Sequence, residues 1–333
     1  MTQKTIILVA PYLYGLDQCI EKNLIHLGFN VINLCYNVNK THYPNVWSRV
    51  RLLYEKYIHK DDEYRKQLKF LPFEQDFEDK LAQLKTNKAD YALCIRANTL
   101  PKNIIQKIKA HSDYCVNYQW DGIDLFPDIL EYQPFFDDFF VFDKKDEEKY
   151  GFKSITNFYF DFPLQADNAG MQENHKLYFL GGYNPLRNDD ILQFLQTSKH
   201  LNIDLDFYMV CKDDRAKNTF GEGEMTYLTS NNALSFEQNL AKVKASSVVV
   251  DFVTPMHSGL SFRSFDALCF NKKLITTNAA IKKYDFYHKN NILVWENNSD
   301  ELLAFLKMPY IEIAPQIKQK YSFTHWLNTV LNM

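Results

Sequence analysis

The chain reads as an α/β protein of two doubly wound parallel-sheet domains. Three observations point there. Continuous apolar β-branched runs alternate with helical patterns, a weakly patterned stretch lies near mid-chain, and 333 residues suffice for two substantial cores. The division expected is residues 1–165 for the first domain, 171–310 for the second, and 311–333 as a C-terminal helical segment that packs back towards the first.

In order, Thr5 to Ala10 (TIILVA) is a buried parallel strand, Pro11 to Gly15 a loop, and Asp17 a candidate cap for the next helix. Cys19, Ile20, Leu24 and Leu27 form that helix's apolar face, and Gly28 ends it before a second strand, Phe29 to Leu34. This βαβ opening places the first loop at the carboxyl end of the sheet, where ligands bind in such folds. Tyr12, Tyr14, Gly15 and Asp17 are therefore site candidates there, with Asp17 as helix cap the alternative.

Asn45 to Phe70 carries apolar residues Val50, Leu53, Tyr54, Tyr57 and Ile58 at i, i+3, i+4, i+7 and i+8. Arg49, Arg51, Lys56, Lys60, Arg65, Lys66 and Lys69 make it basic. Two readings are open. The stripe can pack on the core with a solvated charged face, which the interspersed Glu55, Asp61, Asp62 and Glu63 favour. Alternatively residues 47–69 can lie on an anionic inner-membrane surface.

A helix over Phe77 to Leu84 precedes the strand Tyr91 to Ile95, and Arg96 sits at that strand's carboxyl end. Pro101 to Ala110 is helical, and Tyr114 to Tyr118 is a strand that ends in Gln119-Trp120-Asp121-Gly122. Asp121 is either a general base for an acceptor hydroxyl or a turn former before glycine, and Trp120 is a candidate beside it. Phe139 to Phe142 is a strand, and Lys144 to Tyr150 a short helix. Pro163, Ala166, Asp167, Asn168 and Gly170 read as the interdomain linker.

The second domain opens with Leu177 to Leu180, followed by Gly181-Gly182 and Arg187. Glycines after a strand let a ligand approach the backbone. Ile191 to Thr197 is a helix and Leu205 to Val210 a strand, so the Asp204-Leu205-Asp206 triplet is read as strand alternation and not as a metal motif. Phe236 to Val243 is helical, Ile292 to Val294 is the final strand, and Asp300 to Leu306 is a helix capped by Ser299 or Asp300.

The most informative stretch is Val248 to Thr277: a strand, a loop with Pro255, His257, Ser258 and Gly259, a helix from Leu260, and a second strand at Leu274-Ile275. A Ser-Gly turn at a helix start presents amides and partial positive charge to a phosphate. Arg263, one turn in, adds a fork for a diphosphate, and Asp266 an acceptor for ribose hydroxyls. An ordinary crossover with solvated Arg and Asp explains the same spacing, since no Walker or GxGxxG pattern is present.

Ser258, Gly259, Leu260, Arg263, Asp266, Ala267, Leu268 and Lys272 to Asn278 resemble the donor-binding segment of GT-B glycosyltransferases, above all bacterial enzymes of lipopolysaccharide, capsule and other surface-glycan biosynthesis. Many retaining members carry two glutamates separated by seven residues, and Ser258 and Asp266 stand in those places here. The resemblance implies a GT-B-like fold, two Rossmann-like domains whose parallel sheets face a central cleft. It implies a nucleotide-sugar donor whose diphosphate is held by Gly182, Arg187, Ser258, Gly259, Leu260 and Arg263, with Asp266 on the ribose. It also implies a glycan or lipid-linked acceptor on the first domain, near Tyr14, Gly15, Arg96 and Trp120, with Asp121 and Asp17 as the catalytic candidates. No metal and no cofactor beyond the nucleotide sugar is then expected. Competing readings are a nucleotide-sugar epimerase or hydrolase of the same fold and a non-enzymatic nucleotide- or glycan-binding assembly protein. A nicotinamide-dependent enzyme is disfavoured by the missing GxGxxG.

Composition agrees with a globular protein. Net charge is −3, which argues against nucleic-acid binding through bulk charge. There is no apolar run long enough to span a membrane and no signal-peptide pattern at the N-terminus, so a cytoplasmic protein is expected. Six cysteines lack CxxC pairing and nine histidines lack HxxxH or HExxH spacing, which favours buried thiols over metal sites. The 26 Phe and 21 Tyr must be mostly core.

Overall fold

The computed structural model describes residues 3–37, 40–59, 62–85, 87–162, 176–254, 256 and 258–333. The chain divides into two compact units, Met1–Ile155 with Leu327–Met333, and Thr156–Trp326. The expected linker residues Pro163, Ala166, Asp167, Asn168 and Gly170 lie outside the described residues.

In the first unit, β1 (Thr5–Val9) leads through α1 (Leu16–His26) to β2 (Asn30–Asn33). Then come α2 (Val46–Tyr54), α3 (Glu63–Phe70), α4 (Glu74–Ala82), β3 (Ala89–Ile95), α5 (Lys102–Ala110) and β4 (Ser112–Gln119). The unit closes with β5 (Asp138–Val141), α6 (Lys144–Tyr150) and β6 (Lys153–Ser154). All strand pairs are parallel, in the order β2-β1-β3-β4-β5-β6. Ile7 aligns with Ile32 on one side and Ala92 on the other. Ile6 to Val9 are buried on both faces, which is why this strand is apolar at every position rather than alternating. The unit's core joins Ile7, Val9, Ala92, Cys94, Ile105 and Val141.

Helix α1 buries Cys19, Ile20 and Leu24, and the chain leaves it through Gly28, whose φ of 89° suits a residue without Cβ. The cap expected at Asp17 is different: Gly15, in the left-handed region, occupies the cap position, and Asp17 lies in the first turn. The basic stretch also departs from a single packed helix. It forms α2, a π-helical turn (Glu55–His59) and α3. The apolar side chains of α2 and of the turn face solvent, contrary to the core-packing reading: Val46, Trp47, Val50, Leu53, Tyr54, Tyr57 and Ile58 are all at least half exposed.

The second unit repeats the pattern with β7 (Leu177–Gly182), α7 (Asn188–His200), β8 (Leu205–Val210), α8 (Arg215–Phe220) and β9 (Thr226–Leu228). It continues with α9 (Phe236–Ala245), β10 (Val248–Asp251), α10 (Phe262–Cys269), β11 (Lys273–Thr276), β12 (Ile292–Val294), α11 (Ser299–Lys307) and α12 (Pro315–Gln319). The last helix, α13 (Phe323–Val330), contains the boundary between the units, and Leu327–Met333 count with the first. Its strands too are all parallel, in the order β12-β11-β10-β7-β8-β9. Much of the aromatic content is indeed core here. Phe179, Phe194 and Phe252 meet edge to face, at centroid distances of 5.2 Å for Phe179–Phe252 and 5.5 Å for Phe194–Phe252.

Ser235 and Gln238 form a capping box that starts α9. The cap of α11 is Asn298, whose side chain accepts from the amides of Asp300 and Glu301, and not Ser299 or Asp300. No helix among the described residues is long and apolar enough to cross a membrane.

Candidate functional site

The order of the second sheet defines where a ligand binds. From β7 the chain builds β8 and β9 on one side, then returns to place β10 on the other. The switch point therefore lies at the carboxyl ends of β7 and β10, where the crossover loops part and leave a crevice. Both arginines singled out by sequence converge on it. Arg187 belongs to a short turn, Pro185–Arg187, which Asn184 starts by accepting from the Leu186 amide at 3.0 Å. Its guanidinium donates to the carbonyl of Gly182 at the end of β7 and, at 3.2 Å, to that of Phe252 just past β10. Arg263, the second residue of α10, reaches back the other way. Its Nε donates to the Leu180 carbonyl at 2.9 Å, and its Nη1 pairs with Asp251 Oδ1 at 3.0 Å.

Gly181 is required locally, because a Cβ there would lie 2.6 Å from the Phe179 ring.

One buried carboxylate, Asp251, pairs with Arg263 and also acts electrostatically on Arg187. Arg187 is only 9% exposed, and its pKa falls to about 10, chiefly from burial and then from repulsion by Arg263, with Asp251 opposing. It remains a cation at neutral pH. The Nε of Arg187 has no hydrogen-bond partner among the described residues. Each guanidinium carries five N–H donors. Arg187 spends two on the contacts above, and Arg263 spends three, since its Nη2 also donates to the Leu180 carbonyl, which leaves three and two. An excess of positive charge with spare, oriented donors at a switch point suits an oxyanion. Asp251 also corrects the expectation of an uncommitted Arg263 fork: a carboxylate that is 1% exposed demands a counter-charge, and Arg263 supplies it.

The loop before α10 differs from expectation. The helix starts at Phe262 with Ser261 at its cap, so Ser258, Gly259 and Leu260 precede it as loop instead of forming its first turn. Their carbonyls are anchored. Asn278 donates to Ser258 and Gly259 at 3.2 and 3.3 Å, and Asn157 donates to Leu260 at 2.9 Å. Pro255 and His257 lie outside the described residues.

Asp266 is a correction. It is 1% exposed, has no hydrogen-bond partner among the described residues, and burial lifts its carboxyl to about 8, with Arg263 opposing. A side chain in that setting is not presented to a ribose. Its helical position puts it on the buried face with Phe265, Ala267 and Leu268.

The first sheet has its own switch point, between β1 and β3. After β1 come exposed Tyr12 and Tyr14, with Tyr14 and Gly15 both in the left-handed region. After β3 comes Arg96, also left-handed at φ 54°. Its Nε lies 2.9 Å from Asp121 Oδ2, at the end of β4, and its guanidinium sits 4.3 Å from the Phe126 ring centroid. The structure thus brings Arg96 and Asp121 together, both partly exposed.

Trp120 and Asp17 differ from this pair. Trp120 is buried, so its ring is not an open platform. Asp17 is 1% exposed and burial raises its carboxyl. It sits near Cys35, whose thiol is raised first by burial and then by the Asp17 charge. That environment removes Asp17 from a solvent-facing catalytic role.

Several site residues carried no sequence signal of their own. Asp251 stood only at the expected end of a strand and Asn157 was not singled out, while Asn278 entered only as the last residue of the matched Lys272 to Asn278 run. Gln119, fully buried at the end of β4, has neither amide atom partnered among the described residues, a feature only coordinates reveal.

The architecture matches solved glycosyltransferases along their length. An alpha-glucosyltransferase solved with UDP and a 13-mer DNA superposes with TM-score 0.60 at 8% identity, covering 99% of this chain and 100% of that one. A glycosyltransferase from Rickettsia africae gives TM-score 0.53 at 12% identity, with 100% and 98% covered. A lipopolysaccharide outer core galactosyltransferase in its apo form gives 0.52 at 11% identity, with 98% and 99% covered. No family model matches the chain, and no curated protein matches it in sequence. At these identities the likeness defines the fold, which is GT-B-like with two Rossmann-like α/β domains.

Proposed function

We propose that this chain is a glycosyltransferase that moves a sugar from a nucleotide-sugar donor to a growing bacterial surface polysaccharide or lipid-linked glycan. The observation that carries the reading is the pair of arginines at the switch point of the second sheet, with more guanidinium than carboxylate and donors to spare. Glycosyl transfer breaks the bond between the anomeric carbon and a phosphate oxygen, and negative charge grows on the departing diphosphate. Preformed cations aimed at that charge lower the barrier. Arg187 and Arg263 fill this role without a metal, with the Ser258-Gly259-Leu260 loop beside the phosphates. The ribose contact assigned by sequence to Asp266 is not part of the proposal.

The acceptor belongs to the first unit, near Tyr12, Tyr14, Gly15 and the Arg96–Asp121 pair. In an inverting reaction, Asp121 takes the proton of the attacking hydroxyl while Arg96 holds the carboxylate in place. The UDP bound in one neighbour of this fold supports the donor class, and the lipopolysaccharide galactosyltransferase among the neighbours supports the acceptor class.

The test is incubation with a panel of nucleotide sugars, with and without glycan acceptors. The reading predicts nucleoside diphosphate release that depends on acceptor. Rapid free-sugar or epimer formation without acceptor would replace it by an epimerase or hydrolase, and tight binding without turnover by an assembly role.

A further inference from the structure

The segment after β2 carries an apolar face turned away from the protein. On a helical wheel at about 100° per residue, Val46, Trp47, Val50, Leu53, Tyr54, Tyr57 and Ile58 fall within a sector of roughly 140°. All seven are at least half exposed, and Trp47 reaches 78%. The opposite side of the helix, with Ser48 buried and Leu52 and Glu55 partly buried, faces the protein. This inverts the usual arrangement, in which the apolar stripe packs inward.

Charge frames the apolar sector. Arg51 lies at one margin, and Arg49 and Lys56 at the other. From Lys40 to His59 there are four Lys and Arg residues against one acid, Glu55, in a chain whose net charge is −3. Glu55 is taken up by Arg51, whose Nε lies 3.4 Å away. Arg49 rests against the Tyr43 ring at 5.1 Å and Lys56 near the Tyr57 ring at 5.2 Å, so the cations stay beside the aromatics. Tryptophan and tyrosine between cations and aliphatic side chains match the boundary between headgroups and acyl chains.

We infer that α2 and the π-helical turn after it form a docking face for an anionic lipid bilayer. Trp47, Val50, Leu53, Tyr54, Tyr57 and Ile58 enter the interface, and Arg49, Arg51 and Lys56 meet lipid phosphates. The helix lies in the plane of the bilayer and does not span it. This surface uses none of the residues assigned to the donor site, and its test does not depend on the glycosyltransferase reading.

The experiment uses the full chain without donor or acceptor. Of four tryptophans, Trp47 is exposed while Trp120, Trp295 and Trp326 are buried, so a blue shift of emission on adding vesicles reports Trp47. The chain should sediment with phosphatidylcholine vesicles containing phosphatidylglycerol, with a blue shift, and high salt should weaken the binding. Trp47→Phe should lose the shift and keep the binding. The combined variant Trp47→Ser, Leu53→Ser, Tyr57→Ser, whose changes are all on exposed side chains, should keep its thermal transition and bind at least roughly tenfold more weakly. Three results would overturn the inference: no sedimentation with anionic vesicles, equal and salt-independent binding to pure phosphatidylcholine, or a Trp47 shift that follows protein concentration without lipid, which would mean that a second copy covers the face.

Discussion

The two sheets share one strand plan and differ in the chemistry at their switch points. At the carboxyl ends of β7 and β10, Arg187 and Arg263 face a single buried carboxylate, Asp251. Beyond β1, β3 and β4, one arginine meets one aspartate, Arg96 with Asp121, beside exposed Tyr12 and Tyr14. The first arrangement is cationic and enclosed, and suits a diphosphate. The second is balanced, open and aromatic, and suits a hydroxyl-bearing glycan. The same backbone topology thus carries two kinds of site, and the side chains just beyond the strand ends decide which.

The largest effect expected is on transfer. Asp121→Asn should reduce the transfer rate by roughly 10²–10⁴-fold while calorimetry with nucleoside diphosphate stays at the wild-type value. Wild-type turnover would remove the base role and leave the first site as a binding surface only. Asp251→Asn tests the enclosed site. It takes away the carboxylate paired with Arg263 and should cost about 3–5 kcal/mol in denaturant unfolding, partly restored by nucleoside diphosphate. A stability unchanged within error would mean that the two cations do not need Asp251.

Arg187→Gln keeps a side-chain amide near the Gly182 and Phe252 carbonyls but removes the charge. It should weaken nucleoside diphosphate binding by about 1.5–3 kcal/mol in calorimetry. The last effect concerns Asp266 and is read as a pH slope. Its carboxyl is raised from 3.8 to about 8 in the folded state, so the native chain holds a proton that the unfolded chain has lost. Stability therefore falls as pH rises from about 4 to about 8 and levels off above that. Asp266→Asn, neutral throughout, should flatten this slope, so that the variant gains on the wild type as pH rises towards 8. An unchanged slope in thermal melts across that window would place the titrating proton elsewhere.

Much of the fold was legible because buried parallel strands are apolar on both faces. Thr5 to Ala10 and Val248 to Val250 admit little else, and Leu205–Val210 and Ile292–Val294 were read at their observed bounds. Short pieces such as β6, β9 and α8 carry too few residues to show a period, and they were missed. Among the candidates, Arg187, Arg96 and Asp121 could be picked out because they follow strand ends, and Arg263 because it opens the helix after one. Burial was harder to read. Asp17, Asp266 and Trp120 occupy the right stretches, yet helix phase and strand alternation turn them inward. The apolar stripe after β2 left two readings open for a related reason: periodicity gives a face, but it does not say whether protein or solvent lies against it, and exposure rules out only the core-packed one.

The central claim is that the second switch point grips a diphosphate. Calorimetric titration of the purified chain with UDP, GDP, ADP, CDP and dTDP, each beside its parent nucleoside, tests it most directly. The account predicts that one diphosphate binds far more tightly than its nucleoside and that Arg187→Gln erases most of that difference. Equal binding of diphosphate and nucleoside, or no binding of any diphosphate, would contradict it.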